Sequence, residues 1–292
     1  MKLKYLLTII PLTCVTLSGC ASYQPKELDP NVTYSEVYLI MGQSNATGVS
    51  QHQYLLESEP EVYAKYFVGN PNVLISYDVD DRIETNFVPV KFGYGHNENY
   101  FGPEIGISEV ISQNEGTSYI IKATMSGSCL LTQYMTSTGF KLQLYFRYVN
   151  FIKQQLRSLE SQGLTPRLRG LFWMQGESDS FLDYSYQYYY GEWKLFESLR
   201  IDLNEWIYDH FNIVDAYICT HTGWKDPEII NNAKQRIADE NDHFYCLKTN
   251  GEDESALSLK LKYECGEEED GAHYDSKSML LLGRTASQYL SK

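Results

Sequence analysis

The fold of this protein is decided by the stretch VYLIMGQSN, residues 37–45, in which an apolar run ends at a glycine followed by polar side chains. A short apolar run bounded by turn residues is typical of a buried β-strand. Ser44 then lies at the turn after this strand, where a following helix would direct backbone N–H groups towards negative charge. A serine at such a turn is more often a helix N-cap than a nucleophile, so the stretch alone predicts only a strand and a turn.

Similar apolar runs recur along the chain and predict a parallel sheet. Buried strands are predicted at residues 37–41, 73–76, 119–123, 170–174, 216–220 and 244–247. Amphipathic stretches predict helices over residues 104–113, 142–161, 186–211, 227–240 and 276–290. This alternation indicates one α/β domain with a mainly parallel sheet covered on both faces. Because such sheets bind ligands at the carboxyl ends of their strands, we expect the chemistry directly after the apolar runs.

Two further polar segments could carry chemistry. In GLFWMQGESD, residues 170–179, Gln175 offers an amide that can donate to an oxyanion, while Glu177 could orient another group or cap a helix. In DGAH, residues 270–273, Asp270 can accept from one ring nitrogen of His273 and leave the other facing a nucleophile. The chain order serine, aspartate, histidine is one of several that serine hydrolases use. Each segment taken alone is a weak indication of catalysis.

Together the three segments resemble, in type, order and spacing, the sequence blocks of the SGNH hydrolase superfamily. They are most similar to the sialate O-acetylesterase-like and acetylxylan esterase group, whose members carry Gly-Gln-Ser-Asn, Gln-Gly-Glu and Asp-x-x-His. Here these are residues 42–45, 175–177 and 270–273. FGPEIG, residues 101–106, resembles the Gly-Pro-Glu helix start of this group, and residues 121–127 resemble its glycine block. The resemblance spans about residues 36–291.

The resemblance implies a fold, a reaction and a catalytic triad. The expected fold is a flavodoxin-like three-layer α/β/α sandwich with a mainly parallel five-stranded sheet, the SGNH hydrolase fold. The expected reaction is hydrolysis of O-acetyl esters on carbohydrates, without a metal or an organic cofactor. Ser44 would be the nucleophile, His273 the base and Asp270 the acidic member. Glu177 is the alternative acid, because some relatives are thought to use the Gln-Gly-Glu carboxylate in that role.

The resemblance also implies an oxyanion hole, which binds the negative oxygen of the tetrahedral intermediate. Its expected donors are the backbone amides of Ser44 and Gly127 and the side chain of Gln175. The sequence departs from the group at Ser126, where a second glycine is often found, and at Met174, where a histidine is often found. These departures affect the oxyanion loop and the pocket, and leave the three triad residues in place.

The N-terminal sequence predicts export. Two lysines precede an apolar run over residues 5–17, and Leu17-Ser18-Gly19-Cys20 resembles the lipobox of bacterial lipoproteins. We therefore expect a lipoprotein signal peptide at residues 1–19, a lipidated Cys20 with a tether over residues 20–33, and the esterase domain at residues 34–292. The lipid would hold an exported lipoprotein in the cell envelope, at the outer membrane or cell surface. A plain secretory peptide is the alternative.

Charge and cysteine content narrow the possible partners. The formal net charge is -14, and removal of the leader with its two lysines would leave -16. This charge argues against nucleic acid and favours a neutral over a polyanionic substrate. Outside the leader and Cys20, four cysteines permit one or two disulfides, for which Cys246 with Cys265 is one candidate pair. None of the four has Cys-x-x-Cys spacing, so no metal site is expected.

Two alternatives to a carbohydrate esterase remain open at this stage. One is a glycan-binding surface lipoprotein that has the fold without the chemistry, although a binding module has no need for a complete triad. The other is a lipase or thioesterase of the same superfamily, which would need an apolar channel where residues 50–53 and 94–100 are polar and aromatic. Trp224 follows a predicted strand and is expected near the mouth of the site. The sequence does not indicate an oligomeric state.

Overall fold

The computed structural model of the protein describes residues 23, 25–219, 223–251 and 256–292. The predicted signal peptide and the lipidation site at Cys20 lie outside these residues. Within the described part of the chain, every helix is too short or too polar to cross a membrane.

The described chain alternates strands with helices, as the apolar runs predict. The strands are β1 (Ser35–Gly42), β2 (Ser50–Gln51), β3 (Asn70–Val79), β4 (Arg82–Val90), β5 (Tyr100–Phe101), β6 (Ser118–Thr124), β7 (Pro166–Met174), β8 (Ile207–Ala216) and β9 (Phe244–Leu247). The helices are α1 (Ser44–Thr47), α2 (Leu55–Ser58), α3 (Pro60–Val68), α4 (Glu104–Ile111), α5 (Gln143–Ser161), α6 (Glu177–Phe181), α7 (Ser185–Asp202), α8 (Pro227–Glu240), α9 (Lys262–Cys265) and α10 (Ser276–Leu290).

In the described part of the chain, the central sheet has seven strands in the order β4-β3-β6-β1-β7-β8-β9, so the expected count of five is wrong. Strands β6-β1-β7-β8-β9 are parallel and have the order 2-1-3-4-5 of flavodoxin-like sheets. The hairpin β3–β4 extends this core beyond β6, with β4 antiparallel at the edge. Most residues of β4 are partly or fully exposed, which explains why no apolar run predicted this strand.

Helices cover both faces of the sheet, as a mainly parallel sheet requires. The side chains of β1 alternate between the two faces. Val37, Leu39 and Met41 pack in one buried cluster with residues of α5, α7 and α8. Tyr38 and Ile40 pack in a second cluster with residues of α3, α4 and α10. Together with the sheet, these two helical layers form a three-layer α/β/α sandwich.

Two predicted boundaries near β8 are wrong. The helix predicted over residues 186–211 ends at Asp202. The strand predicted at residues 216–220 lies earlier in the chain, as β8 from Ile207 to Ala216. The short 3₁₀ turn Asn204–Trp206 separates the helix from the strand. This turn contains neither glycine nor proline, so the sequence carries no clear stop signal at the end of α7.

Candidate active site

The first part of the site is the turn between β1 and α1, which carries Ser44. Gly42 has a φ of +139°, and a Cβ built on it would lie 2.0 Å from the carbonyl oxygen of Met174. Only glycine therefore fits where β1 passes the end of β7. The side chain of Gln43 joins the same two strand ends, because its Oε1 accepts from the backbone N–H groups of Gly176 at 3.2 Å and Ser178 at 3.3 Å.

The second part is the loop before α10, where Asp270 and His273 are paired. Oδ2 of Asp270 lies 2.7 Å from Nδ1 of His273, and Oδ1 accepts from the backbone N–H of Ala272 at 2.9 Å. Burial favours the protonated carboxyl, but the hydrogen bonds and the charges of His273 and Lys262 outweigh it. They hold the pKa of Asp270 well below its ordinary value. The pairing engages Nδ1 and leaves Nε2 of His273 as the ring nitrogen that can accept a proton.

Asn45 joins these two parts of the site. Its Nδ2 donates to the carbonyl oxygen of Ala272 at 3.2 Å, and its Oδ1 accepts from the backbone N–H of Tyr274 at 3.3 Å. Its side chain therefore holds the main chain on both sides of His273, next to Ser44. The second hydrogen of the amide is directed at Oε1 of Glu177, 3.1 Å away.

Ser44 and His273 line one cavity of about 370 Å³ at the carboxyl ends of β1 and β7. This volume is within the usual range for a small-molecule site. The described residues that line it are Gln43, Ser44, Gly127, Glu177, Ser178, Phe181, Leu182, Trp224, Ala272 and His273. The prediction that Trp224 lies at the mouth of the site is confirmed.

Two backbone N–H groups at the cavity are available to a ligand. Ser44 is the first residue of α1, and Gly127 follows β6 in a left-handed conformation with a φ of +67°. Among the described residues, neither N–H has a hydrogen-bond acceptor. Free N–H groups at the start of a helix and in a glycine turn are typical donors to a negatively charged oxygen.

The chain matches a known protein family and shares its fold with solved structures. The family model "SASA: Carbohydrate esterase, sialic acid-specific acetylesterase" matches residues 34–291, which is most of the chain. The chain belongs to this family. As a member of the acetylesterase family it is an ester hydrolase, and the predicted likeness to sialate O-acetylesterases is confirmed. Comparison with curated protein sequences finds no significant match.

Three solved structures share the fold of this acetylesterase family member. A protein from Arabidopsis thaliana is 18% identical, with a TM-score of 0.62 over 89% of this chain and 99% of its own. NanS is 15% identical, with a TM-score of 0.61 over 88% of this chain and 97% of its own. A carbohydrate acetylesterase from Xanthomonas citri is 11% identical, with a TM-score of 0.52 over 87% of this chain and 55% of its own. At these identities the likeness establishes the fold alone.

Gln175, predicted as an oxyanion donor, lies beneath the cavity and does not line it. Its Nε2 has three acceptors: Oδ2 of Asp179 at 2.6 Å, the carbonyl of Ser128 at 3.0 Å and Oε1 of Gln43 at 3.2 Å. An amide has only two hydrogens, so these acceptors already use both. Beneath the site, Gln175 therefore connects the segments that follow β1, β6 and β7.

Glu177 lines the cavity but does not hold the histidine ring. Its Oε1 accepts from Asn45, and its Oε2 has no hydrogen-bond partner in the described part of the chain. Burial raises the pKa of its carboxyl above the ordinary value. Of the two candidate acids, Asp270 is therefore the one paired with Nδ1 of His273.

The remaining predicted features concern metals and disulfides. The described residues contain no group of three or more His, Cys, Asp or Glu side chains placed to hold a metal ion. The four described cysteines are all free thiols, so the candidate pair Cys246 and Cys265 is not joined. Cys219 instead donates its S–H to the carbonyl oxygen of Ala272 at 3.3 Å, next to His273.

Proposed function

We propose that this acetylesterase family member is a serine esterase with the SGNH hydrolase fold that removes O-acetyl groups from carbohydrates. The substrate would be an O-acetylated sialic acid or an acetylated polysaccharide. The observation that carries the proposal is that Ser44 and His273 line one cavity while Asp270 holds Nδ1 of the histidine. A nucleophile, a base and an orienting carboxylate in this arrangement are the parts that acyl transfer requires.

In the proposed mechanism, Nε2 of His273 takes the proton of the Ser44 hydroxyl as Oγ attacks the acetyl carbonyl carbon. The tetrahedral intermediate collapses when its bond to the sugar oxygen breaks, and His273 returns the proton to that oxygen. An acetyl group is then bound to Ser44. A water molecule, deprotonated by His273, attacks the carbonyl carbon of this acetyl-enzyme. The second tetrahedral intermediate releases acetate when its bond to Oγ of Ser44 breaks, and His273 returns the proton to Oγ. Asp270 stabilises the imidazolium that forms in each half of the reaction.

The N–H groups of Ser44 and Gly127 would stabilise the oxyanion. Each such donor is typically worth roughly 3 to 4 kcal/mol in the transition state. Gln175 would add a third donor only if its amide turned away from Asp179, the partner that it contacts at 2.6 Å. The proposal therefore rests on the two backbone donors, with Gln175 as a predicted third.

The cavity wall supports a sugar ring as the alcohol part of the ester. Phe181, Leu182 and Trp224 line the cavity, and the side chains of Phe181 and Leu182 are exposed at its rim. Aromatic and apolar surfaces of this kind pack against the C–H faces of sugars. A lipase or thioesterase is the alternative, and hydrolysis of long-chain acyl esters in preference to acetyl esters would support it.

We also propose that the protein is an exported lipoprotein anchored through Cys20. The support is the sequence of residues 1–20, which combines two lysines, an apolar run and a lipobox-like end. Metabolic labelling with a palmitate analogue tests this proposal. Labelling of the wild type and its loss in Cys20→Ala are expected, whereas equal labelling of both would contradict the anchor.

The function is tested by measuring acetate release from an aryl acetate and from a panel of O-acetylated glycans. The full-length protein, purified in detergent, is compared with Ser44→Ala, which removes only the nucleophilic oxygen. We expect hydrolysis by the wild type and a loss of at least a thousandfold in the variant. Absence of wild-type activity on every acetyl ester would instead favour a glycan-binding lipoprotein.

A further inference from the structure

The hairpin turn between β3 and β4 contains two aspartates in left-handed backbone conformations. Asp80 has a φ of 46° and Asp81 a φ of 66°. A two-residue hairpin turn with positive φ at both positions is the type I′ turn, which favours asparagine and glycine. The left-handed conformation is costly for residues with a Cβ, so glycine would be at least as favourable at both positions.

The carboxylate of Asp80 contacts both Ser126, in the loop after β6, and His96, in the loop before β5. Its Oδ1 accepts from the backbone N–H of Ser126 at 2.6 Å, and its Oδ2 accepts from the Ser126 hydroxyl at 2.8 Å. Oδ2 also lies 2.8 Å from Nδ1 of His96. The backbone N–H of Asp80 donates to Thr124, the last residue of β6, at 3.2 Å. Only 14% of the Asp80 side chain is exposed.

These contacts end one residue before Gly127. Ser126 is held through both its backbone N–H and its hydroxyl, and the next N–H along the chain is the free one that Gly127 presents at the cavity. A glycine in an open turn has wide conformational freedom, and nothing lies within 4 Å of a Cβ built on Gly127. Packing around Gly127 therefore does not fix the direction of its N–H. The turn is held by the hydrogen bond from the backbone N–H of Ser128 to the carbonyl oxygen of Met125 at 3.2 Å, together with the contacts of Ser126 to Asp80.

We infer that Asp80 is a positioning residue that holds the Ser126–Gly127 peptide so that the Gly127 N–H faces the oxyanion. This inference rests on the proposed function. Asp80 touches neither the triad nor the substrate cavity, and acts through Ser126. A correctly held donor stabilises the transition state more than the bound substrate, so loss of Asp80 lowers kcat and leaves KM nearly unchanged.

Asp80→Gly tests this inference without straining the turn. Glycine adopts the left-handed conformation readily, so the variant removes the carboxylate while the hairpin keeps its backbone. Asp81→Gly is the matched control, because Asp81 occupies the same turn with the same sign of φ. The Asp81 side chain is 78% exposed and pairs with Arg147 at 2.6 Å. A third variant, Asp80→Asn, keeps an oxygen that can accept from the Ser126 N–H.

The readouts are kcat and KM on an aryl acetate, the thermal midpoint, and the affinity for phenylboronic acid, which forms a tetrahedral adduct on a serine nucleophile. We expect kcat of Asp80→Gly to fall about tenfold to a hundredfold, with boronate affinity falling in parallel. Asp81→Gly should stay within about threefold of the wild type, and Asp80→Asn should recover part of the loss. Asp80→Gly should have a lower thermal midpoint than Asp81→Gly, because it loses largely buried hydrogen bonds whereas Asp81→Gly loses an exposed ion pair.

Equal kcat and boronate affinity in Asp80→Gly and Asp81→Gly would overturn the inference and leave the esterase proposal intact. A fall in kcat that tracks a lower thermal midpoint, with boronate affinity unchanged, would also overturn it, because the role would then be structural. Failure of the wild type to hydrolyse any acetyl ester would overturn the esterase proposal and this inference together. The wild-type measurement therefore separates the two failures.

Discussion

Nζ of Lys262 lies 3.4 Å from Oδ2 of Asp270, the same carboxylate oxygen that contacts His273. Lys262 is buried, and its ammonium also contacts Glu268 at 2.6 Å. Its backbone N–H donates to the carbonyl oxygen of His273 at 3.0 Å. The start of α9 therefore supports the loop that carries Asp270 and His273 through both charge and main chain, and it favours the ionised form of Asp270.

This environment makes stability depend on pH with a definite sign. The pKa of Asp270 is lowered in the folded protein, so its ionised form stabilises folding above its unfolded pKa of about 3.9. That contribution is lost as the pH falls from there towards the folded pKa. The free energies of unfolding of the wild type and Asp270→Asn, measured by denaturant unfolding, should differ most above about pH 5, and the difference should shrink progressively as the pH falls below about 4. A difference that stays constant between about pH 5 and about pH 2 would contradict the prediction.

The two candidate acids should respond differently to neutral substitution. Asp270→Asn removes the carboxylate from Nδ1 of His273, and kcat should fall by up to about 10⁴-fold. Glu177→Gln keeps an oxygen that can accept from Asn45, and its loss should be at least about a hundredfold smaller. Steady-state kinetics on an aryl acetate measure both variants. A larger loss in Glu177→Gln would assign the acidic role to Glu177.

Gly42 should tolerate no side chain. In Gly42→Ala, the Cβ would lie 2.0 Å from the carbonyl oxygen of Met174, and the φ of +139° would be strained as well. We expect the free energy of unfolding to fall by about 3 kcal/mol or more, or the variant to fail to fold. Gly116→Ala is the control, since it has a φ of +80° with nothing within 4 Å. It should cost about 1 to 2 kcal/mol, and equal costs in urea denaturation would refute the steric argument.

Stability and activity should both be sensitive to replacement of the Asn45 amide by a carboxylate. Asn45→Asp keeps an acceptor for the Tyr274 N–H but loses the donor to Ala272 and brings a second carboxyl close to Glu177. We expect a loss of about 1 to 3 kcal/mol in the free energy of unfolding, together with a lower kcat. Asn86→Asp is the control, because Asn86 donates to Glu84 at 3.1 Å on the exposed surface. That change should cost less than about 1 kcal/mol, and similar losses at both positions would count against the role of Asn45.

The sequence predicts the parts of the fold that local patterns describe. Strands β1, β6 and β7 are mostly or fully buried, so their apolar runs are visible in the sequence. The edge strand β4 is different, because it pairs with a strand on one side alone in the described sheet and most of its residues are partly or fully exposed. The sequence pattern does not indicate the end of α7, because the following turn lacks glycine and proline.

The contacts within the site also fall into two kinds. Contacts between residues close in sequence can be predicted from spacing, and contacts between distant residues cannot. Asp270 and His273 are three residues apart, so their pairing could be proposed from spacing alone. The contact of Asn45 with Tyr274 joins residues 229 positions apart, and that of Asp80 with Ser126 joins residues 46 positions apart. No periodicity or spacing reports such contacts, because they depend on which strand ends the topology brings together. The same limit applies to Gln175, whose position beneath the cavity depends on contacts with Gln43 and Ser128.

The hydrogen bonds of Asn45 to Ala272 and Tyr274, on both sides of His273, determine when the site can assemble during synthesis of the chain. A ribosome synthesises Ser44 and β1 early, whereas His273 is made much later, directly before α10. In the proposed mechanism, a growing polypeptide thus has its nucleophile Ser44 long before it has the base His273. Under that mechanism, hydrolysis begins only after the segment around His273 has been made and has docked on Asn45, so a translation product that stops before His273 carries the serine without the activity.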